Sequence, residues 1–134
     1  MISHVTLGTN DLARAAEFYE PVMAALGYPR IPFERSDPFI MWRRPGEDRP
    51  LVALARPFNG APHAPGNGQM LALLAPDRQS VDIAHACALS AGGSDEGAPS
   101  LRPHYHAHYY GAYFRDLDGN KICIVCHEPD GRTG

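Results

Sequence analysis

Polar and apolar residues alternate over "ISHVTLG", Ile2 to Gly8, and the run is rich in β-branched side chains. It predicts a strand covered on one side. The period then changes. In "TNDLARAAEFYEPVMAALG" the residues Leu12, Ala16, Tyr19 and Met23 recur at helical spacing, Asn10 or Asp11 is placed to cap the start, and Gly27 stands just past the end. Pro21 predicts a break or bend near Tyr19. Both patterns return midway along the chain, with "QMLALLA" as a buried strand and "PDRQSVDIAHACALSAGG" as a helix that starts at Asp77 and ends at Gly92 or Gly93. One offset of 66 carries Asp11 to Asp77, Gly27 to Gly93 and His4 to Met70, so the chain reads as two copies of one unit.

After the first helix, "PRIPFER", "PFIMWRR" and "LVALARP" are short strand candidates, separated by turn chemistry at Ser36-Asp37 and at "PGEDRP". That makes the unit βαβββ. After the second helix, "GGSDEGAPSLRP" predicts a loop with at most a short edge strand, since Pro99 and Pro103 cannot donate to a ladder. "HYYGAYFRD" then predicts a strand, "DLDGN" a turn and "KICIVC" the last strand. The expected layout is one domain over 1–134: module one 1–56, a Pro- and Gly-rich linker 57–68, module two 69–127 and a tail 128–134.

Composition narrows the class. A chain of 134 residues with 44% hydrophobic and 20% charged residues can bury a core of its own. The net charge of −3 and the absence of any basic cluster longer than Arg43-Arg44 argue against nucleic acid or an anionic membrane as partner, and for a small-molecule ligand. No signal-like or membrane-spanning run is present, and three cysteines do not form a disulfide framework. A cytoplasmic protein with reduced thiols is the expectation.

The strand "ISHVTLG" running into "DLARAAEFYEPVMAALGY", the second strand and helix, and "YFRDLDGNKICIV" near the end resemble the vicinal oxygen chelate superfamily. That group includes glyoxalase I, extradiol dioxygenases and bleomycin-resistance proteins. The resemblance covers nearly the whole chain. It implies an α+β fold in which two βαβββ modules form a curled eight-stranded mixed sheet around a cleft, with helices on the outer face, and often a homodimer. In metal-using relatives the ligands are His, Gln or Glu on the first and last strand of each module. Here the resemblance implies His4 as the one retained metal position. Met70 or its neighbour Gln69 stands at the second, the alignment of "MLALLAPDR" favouring Met70, "LVALARP" supplies no donor at the third, and Cys123 replaces the expected glutamate at the fourth.

Alternation puts Ile2, His4 and Thr6 on the cleft face and Val5 and Leu7 under the helix. By the same rule Cys123 points to the cleft and Cys126 to the helix layer, so "CIVC" is not a redox pair. Cys87 reads as core. His104, His106 and His108 share a face if extended, but Pro103 precedes them and the strand starts near Tyr109, so His104 and His106 are expected in a loop at the cleft mouth. Met70, Tyr109, Trp42, His104 and His106 are the expected substrate-binding residues, with Phe33, Phe39 and Tyr113 as further lining candidates. His4 and Cys123 are the candidate catalytic pair. Three functions follow: a glyoxalase-like lyase or dioxygenase whose divalent metal is held by His4, Cys123 and a rim histidine, a metal-free module that binds or sequesters a small molecule, and a thiol enzyme using Cys123 with His4 as base. A thioether at Met70 suits zinc or iron poorly, which favours the absence of a metal over its presence.

Overall fold

Asp11 and Asp77 begin the two helices. Each has an extended backbone, and its carboxylate accepts from the N–H three residues on, Arg14 at 3.1 Å and Ser80 at 2.7 Å. Helix α1 spans Leu12–Ala25 and helix α2 spans Arg78–Ser90. Left-handed glycines, Gly27 (φ 78°) and Gly92 (φ 103°), follow them, so the second helix closes one residue earlier than the offset of 66 implies. The computed structural model describes residues 1–32 and 38–129. Helix α1 continues through Pro21, so of the break or bend expected near Tyr19 the break does not occur. Pro21 and Glu17, whose carbonyl loses its i+4 donor, both lie on the solvent side, while Ala15, Ala16, Phe18, Tyr19, Val22 and Met23 hold the other side in the core.

Among the described residues, seven strands form two sheets. In the first, β1 (His4–Gly8) pairs in parallel with β3 (Leu51–Ala55), which pairs antiparallel with β2 (Phe39–Trp42). In the second, β4 (Leu71–Leu74), β7 (Lys121–Cys126), β6 (Tyr110–Arg115) and β5 (Ser94–Leu101) lie side by side in that order. The expected eighth strand, "PRIPFER", is represented by a single bridge between Arg30 and Trp42. Its residues from Phe33 on, like the Ser36-Asp37 turn, lie outside the described residues. Among the described residues the architecture is therefore α+β with sheets of three and four strands rather than one continuous eight-stranded sheet.

Strand β5 also corrects the sequence reading, since the segment expected as a loop with at most a short edge strand is an eight-residue edge strand. It tolerates Pro99 because its register against β6 slips between Asp95 and Gly97 and again between Gly97 and Ser100, so no donor is required at the proline.

Helices α1 and α2 pack together, α1 against the first sheet and α2 against the second. Leu7, Ile40, Trp42, Val52 and Leu54 from one sheet and Leu73, Ala112, Phe114, Ile122 and Ile124 from the other point toward them into one apolar cluster. Rings cross the junction, with Phe18 of α1 5.0 Å from Tyr19 and 5.9 Å from Phe114 of β6. Because both helices cover the same side, alternation turns the remaining residues of both sheets toward the opposite, open side.

Candidate functional site

The "RDLDGN" turn and the linker position that open side. Asp116, 7% exposed, accepts from Tyr19 Oη (2.6 Å) and Asn120 Nδ2 (2.9 Å) through Oδ2, and from the N–H groups of Asp118 and Asn120 (both 2.9 Å) through Oδ1. Asn120 Nδ2 also donates to the Gly8 carbonyl at 3.0 Å, which ties β7 to β1. With both amide protons engaged, Asn120 Oδ1 is left as the acceptor for His63 Nε2 at 2.8 Å, and this assigns the Nε2–H tautomer. The His63 N–H donates to Asn10 Oδ1 at 2.7 Å, and its ring lies where a Cβ on Gly8 would stand. A cavity of about 410 Å3 opens beside this strap, lined among others by Thr6, His63, Gln69, Met70 and Lys121. That is within the size range of small-ligand sites.

On the open side of the second sheet, Ala72, Cys123, Tyr113 and Gly97 stand in one row across β4, β7, β6 and β5. Cys123 is fully buried there. Tyr109 Oη lies 3.1 Å from Tyr113 Oη and 3.5 Å from Cys123 Sγ, so the two phenols close over the thiol. Burial pushes the Cys123 thiol above its ordinary range, partly opposed by hydrogen bonds from Tyr109 and Tyr113. Desolvation, reinforced for Tyr109 by its hydrogen bonds to Tyr113 and Cys123, raises both phenols as well. At neutral pH the cluster is a set of uncharged O–H and S–H groups.

Beyond Tyr109 lies an aromatic rim. The Tyr105 and Tyr109 rings are 4.7 Å apart, His127 meets Tyr109 edge-on at 5.4 Å, and His106 stacks on His127 at 5.0 Å. The His108 N–H donates to His106 Nδ1 at 3.1 Å, so His106 Nε2 carries the proton and donates to His127 Nδ1 at 2.8 Å. The His104 ring lies tilted against Tyr105, centroids 4.2 Å apart. The three alternating histidines are thus a turn at the rim, with His106 engaged by His127 and by the backbone of His108.

Tyr109, Cys123 and His106 are brought together, with Tyr113, and His104 lies at the edge of the same rim. His4 is on the open side as expected but belongs to the other sheet, exposed and bonded to the Ser3 hydroxyl at 2.9 Å, with no contact to Cys123. Met70 is exposed and lines the cavity beside β1. Trp42 is a correction: it is 1% exposed and packs on Tyr19, because Ile40 and Trp42 take the inward phase of β2 and leave Phe39 and Met41 facing out. Phe33 lies outside the described residues.

Sequence reasoning missed His127, Tyr105, Arg102 and Lys121. Alternation along β7 runs Lys121, Cys123, Val125, His127, so two of these were available by counting. Tyr105 and Arg102 arrive through the turn after β5, where Arg102 N–H donates to the Tyr109 carbonyl at 2.7 Å, a closure that no periodicity signals.

The metal ligand positions implied by the fold do not fit a metal in this chain. The open side of β3 presents Leu51, Ala53 and Ala55, Met70 is a thioether, and Cys123 is a capped, protonated thiol, which leaves His4 alone. Among the described residues no three His, Cys, Asp or Glu side chains are grouped to hold an ion.

Two related halves, each a helix packed on a mixed sheet, with the helices on one side and the opposite sheet faces left open, define an α+β fold built by duplication. The chain belongs to the Glyoxalase/Bleomycin resistance protein/Dioxygenase superfamily, whose profile matches residues 1–124. A glyoxalase/bleomycin resistance protein from Albidiferax ferrireducens T118 is 33% identical in sequence, with 96% of this chain and 99% of that chain covered and a TM-score of 0.81. A glyoxalase-related enzyme from Fulvimarina pelagi is 23% identical, covering 100% and 94%, at a TM-score of 0.70. TnmS3, an antibiotic binding protein from Streptomyces sp. CB03234, is 20% identical, covering 96% of each chain, at a TM-score of 0.62. The last two similarities concern the fold. No curated protein matches this chain. Among the described residues no helix is long and apolar enough to cross a membrane.

Proposed function

We propose that this protein binds a small organic molecule on the open side of its second sheet, over Tyr109, Tyr113 and Cys123, without using the metal positions of its relatives. The observation that carries this reading is the phenol-capped thiol. It occupies the strand position that the family resemblance assigns to a metal ligand, yet it presents neutral hydrogen-bonding groups beside an aromatic rim. Binding is favoured over turnover because neither candidate catalytic group is poised. Cys123 is protonated and covered, and His4 has no contact with it. The antibiotic-binding name of TnmS3 gives the same fold a sequestration precedent.

A second copy of the chain is the proposed protein partner, since Phe39, Met70 and Leu74 are exposed on or beside the open side and a homodimer would cover them. Light scattering tests that state directly. For the ligand, a fragment library titrated into 15N-labelled protein should shift β6 and β7 amides, and Tyr109→Ala should abolish those shifts. Elemental analysis after incubation with zinc, iron, nickel and manganese should return well under one ion per chain. One equivalent of metal, lost in His4→Ala, would instead establish the lyase or dioxygenase alternative.

A further inference from the structure

Two cations flank the tyrosine floor, and among the described residues neither has a carboxylate partner. The Arg102 guanidinium lies 5.3 Å from the Tyr113 ring centroid and the Lys121 ammonium 5.7 Å from it. Among the described residues no ion pair involves either of them. Arg102 uses Nη2 on the Ala98 carbonyl at 3.0 Å, while its buried Nε has no partner among the described residues. An unmatched, partly desolvated guanidinium nitrogen is costly unless something accepts from it.

The neighbouring acids are already committed. Glu96 holds Arg115 at 2.8 Å, and Asp95 accepts from the Gly97 N–H at 2.9 Å and lies 3.1 Å from His85 Nε2. The tyrosines and Cys123 keep their protons, so they add donors and no negative charge. The face therefore runs from a cationic end at Arg102 and Lys121, across the O–H groups of Tyr113 and Tyr109, to the rings of Tyr105 and His127. That order matches one kind of molecule.

Resting on the ligand-site reading above, we propose that the ligand is a flat aromatic anion, its carboxylate or phenolate held by Arg102 and Lys121 and its ring system laid against Tyr105, Tyr109 and His127. A cationic ligand would meet two like charges with no acid to receive it. A neutral aromatic would leave both positive charges without a counter-charge.

Three probes of one shape separate these cases: 2-naphthoate, 2-naphthamide and 2-naphthylmethylammonium, each titrated by calorimetry and by 15N shift mapping at low and high salt. The expected result is shifts at Tyr109, Tyr113 and Cys123, with naphthoate binding at least about tenfold tighter than the amide, an advantage that shrinks as salt rises. Lys121→Gln and Arg102→Gln should each remove most of that advantage of naphthoate over the amide. Arg102 also anchors its turn, so Lys121→Gln, which removes no hydrogen bond, is the decisive variant if Arg102→Gln misfolds. Equal binding of all three probes at this face, tighter binding of the ammonium, or an unchanged naphthoate advantage in Lys121→Gln would overturn the anion assignment and leave the ligand site standing. Failure of every probe to shift β6 and β7 would overturn the ligand site and the anion assignment together.

Discussion

Replacing Tyr19 by Phe removes one oxygen from the bond that ties helix α1 to the "RDLDGN" turn. The hydroxyl donates to Asp116 Oδ2 at 2.6 Å across 97 positions of sequence, and the ring is 1% exposed, so water cannot take its place without opening the core. A hydrogen bond to a charged group contributes about 1.5–3 kcal/mol, and an aspartate deprived of it stays partly satisfied only if other donors remain. Three do: the N–H groups of Asp118 and Asn120 and the Asn120 amide, each at 2.9 Å. The loss should therefore fall near the lower half of that range, about 1.5–2 kcal/mol, equivalent to roughly 5–8 °C in Tm for a chain of this size. Phe keeps the edge contact with Phe18 at 5.0 Å, so packing loss is not part of the sum. Urea unfolding followed by circular dichroism measures it. A cycle with Asp116→Asn separates coupling from the individual effects. A loss under about 0.5 kcal/mol, or a coupling near zero, would show that the bond does not join the two halves energetically.

Other substitutions and conditions read different parts of the structure. Gly93→Ala should cost about 1–3 kcal/mol in urea unfolding, because the new Cβ would stand 2.9 Å from the carbonyl oxygens of Ala88 and Arg115, both backbone atoms that cannot step aside; an unchanged midpoint would refute it. Cys123 should resist iodoacetamide at pH 8 in the native protein and react on unfolding, as peptide mass spectrometry would report, since it is fully buried and its thiol is pushed above the ordinary 9.0. Stability should also fall as pH rises past about 9–10. Cys123, Tyr109, Tyr113, Tyr28 and Tyr19 all hold their protons more tightly folded than unfolded, so their contribution is complete below the unfolded values and lost as pH climbs through the folded ones. Equal urea midpoints at pH 8 and pH 10.5 would contradict that sign.

What the sequence made legible was set by periodicity and by turn chemistry. Period 2 in "ISHVTLG" and "KICIVC" placed His4 and Cys123 on the open side, and both aspartate caps stood where the repeat put them. Tertiary context decided the rest. Pro21 was read from its missing donor alone, but the six buried residues on the opposite side of α1 keep the helix going. Pro99 was read as limiting its segment to a loop with at most a short edge strand, but a bulged edge strand has positions where no donor is needed. Trp42 was assigned to the ligand by its type. Its phase in β2, set by pairing Trp42 with Val52, sends it to the core.

The sign of the site shows why composition stops short of chemistry. Fifteen acidic residues against twelve basic ones give the chain a net charge of −3, a balance that by itself suits a cationic ligand as well as any other. Fields at a binding face depend on which charges are spent locally. The carboxylates of Asp11 and Asp77 cap helices, Asp116 holds the turn, Glu96 engages Arg115 and Asp82 accepts from the Tyr110 hydroxyl at 2.7 Å. Arg102 and Lys121 are left facing neutral phenols. A protein negative overall thus presents a positive end to its candidate ligand, and raising the salt concentration should weaken binding of an anion there even though the chain as a whole would repel it.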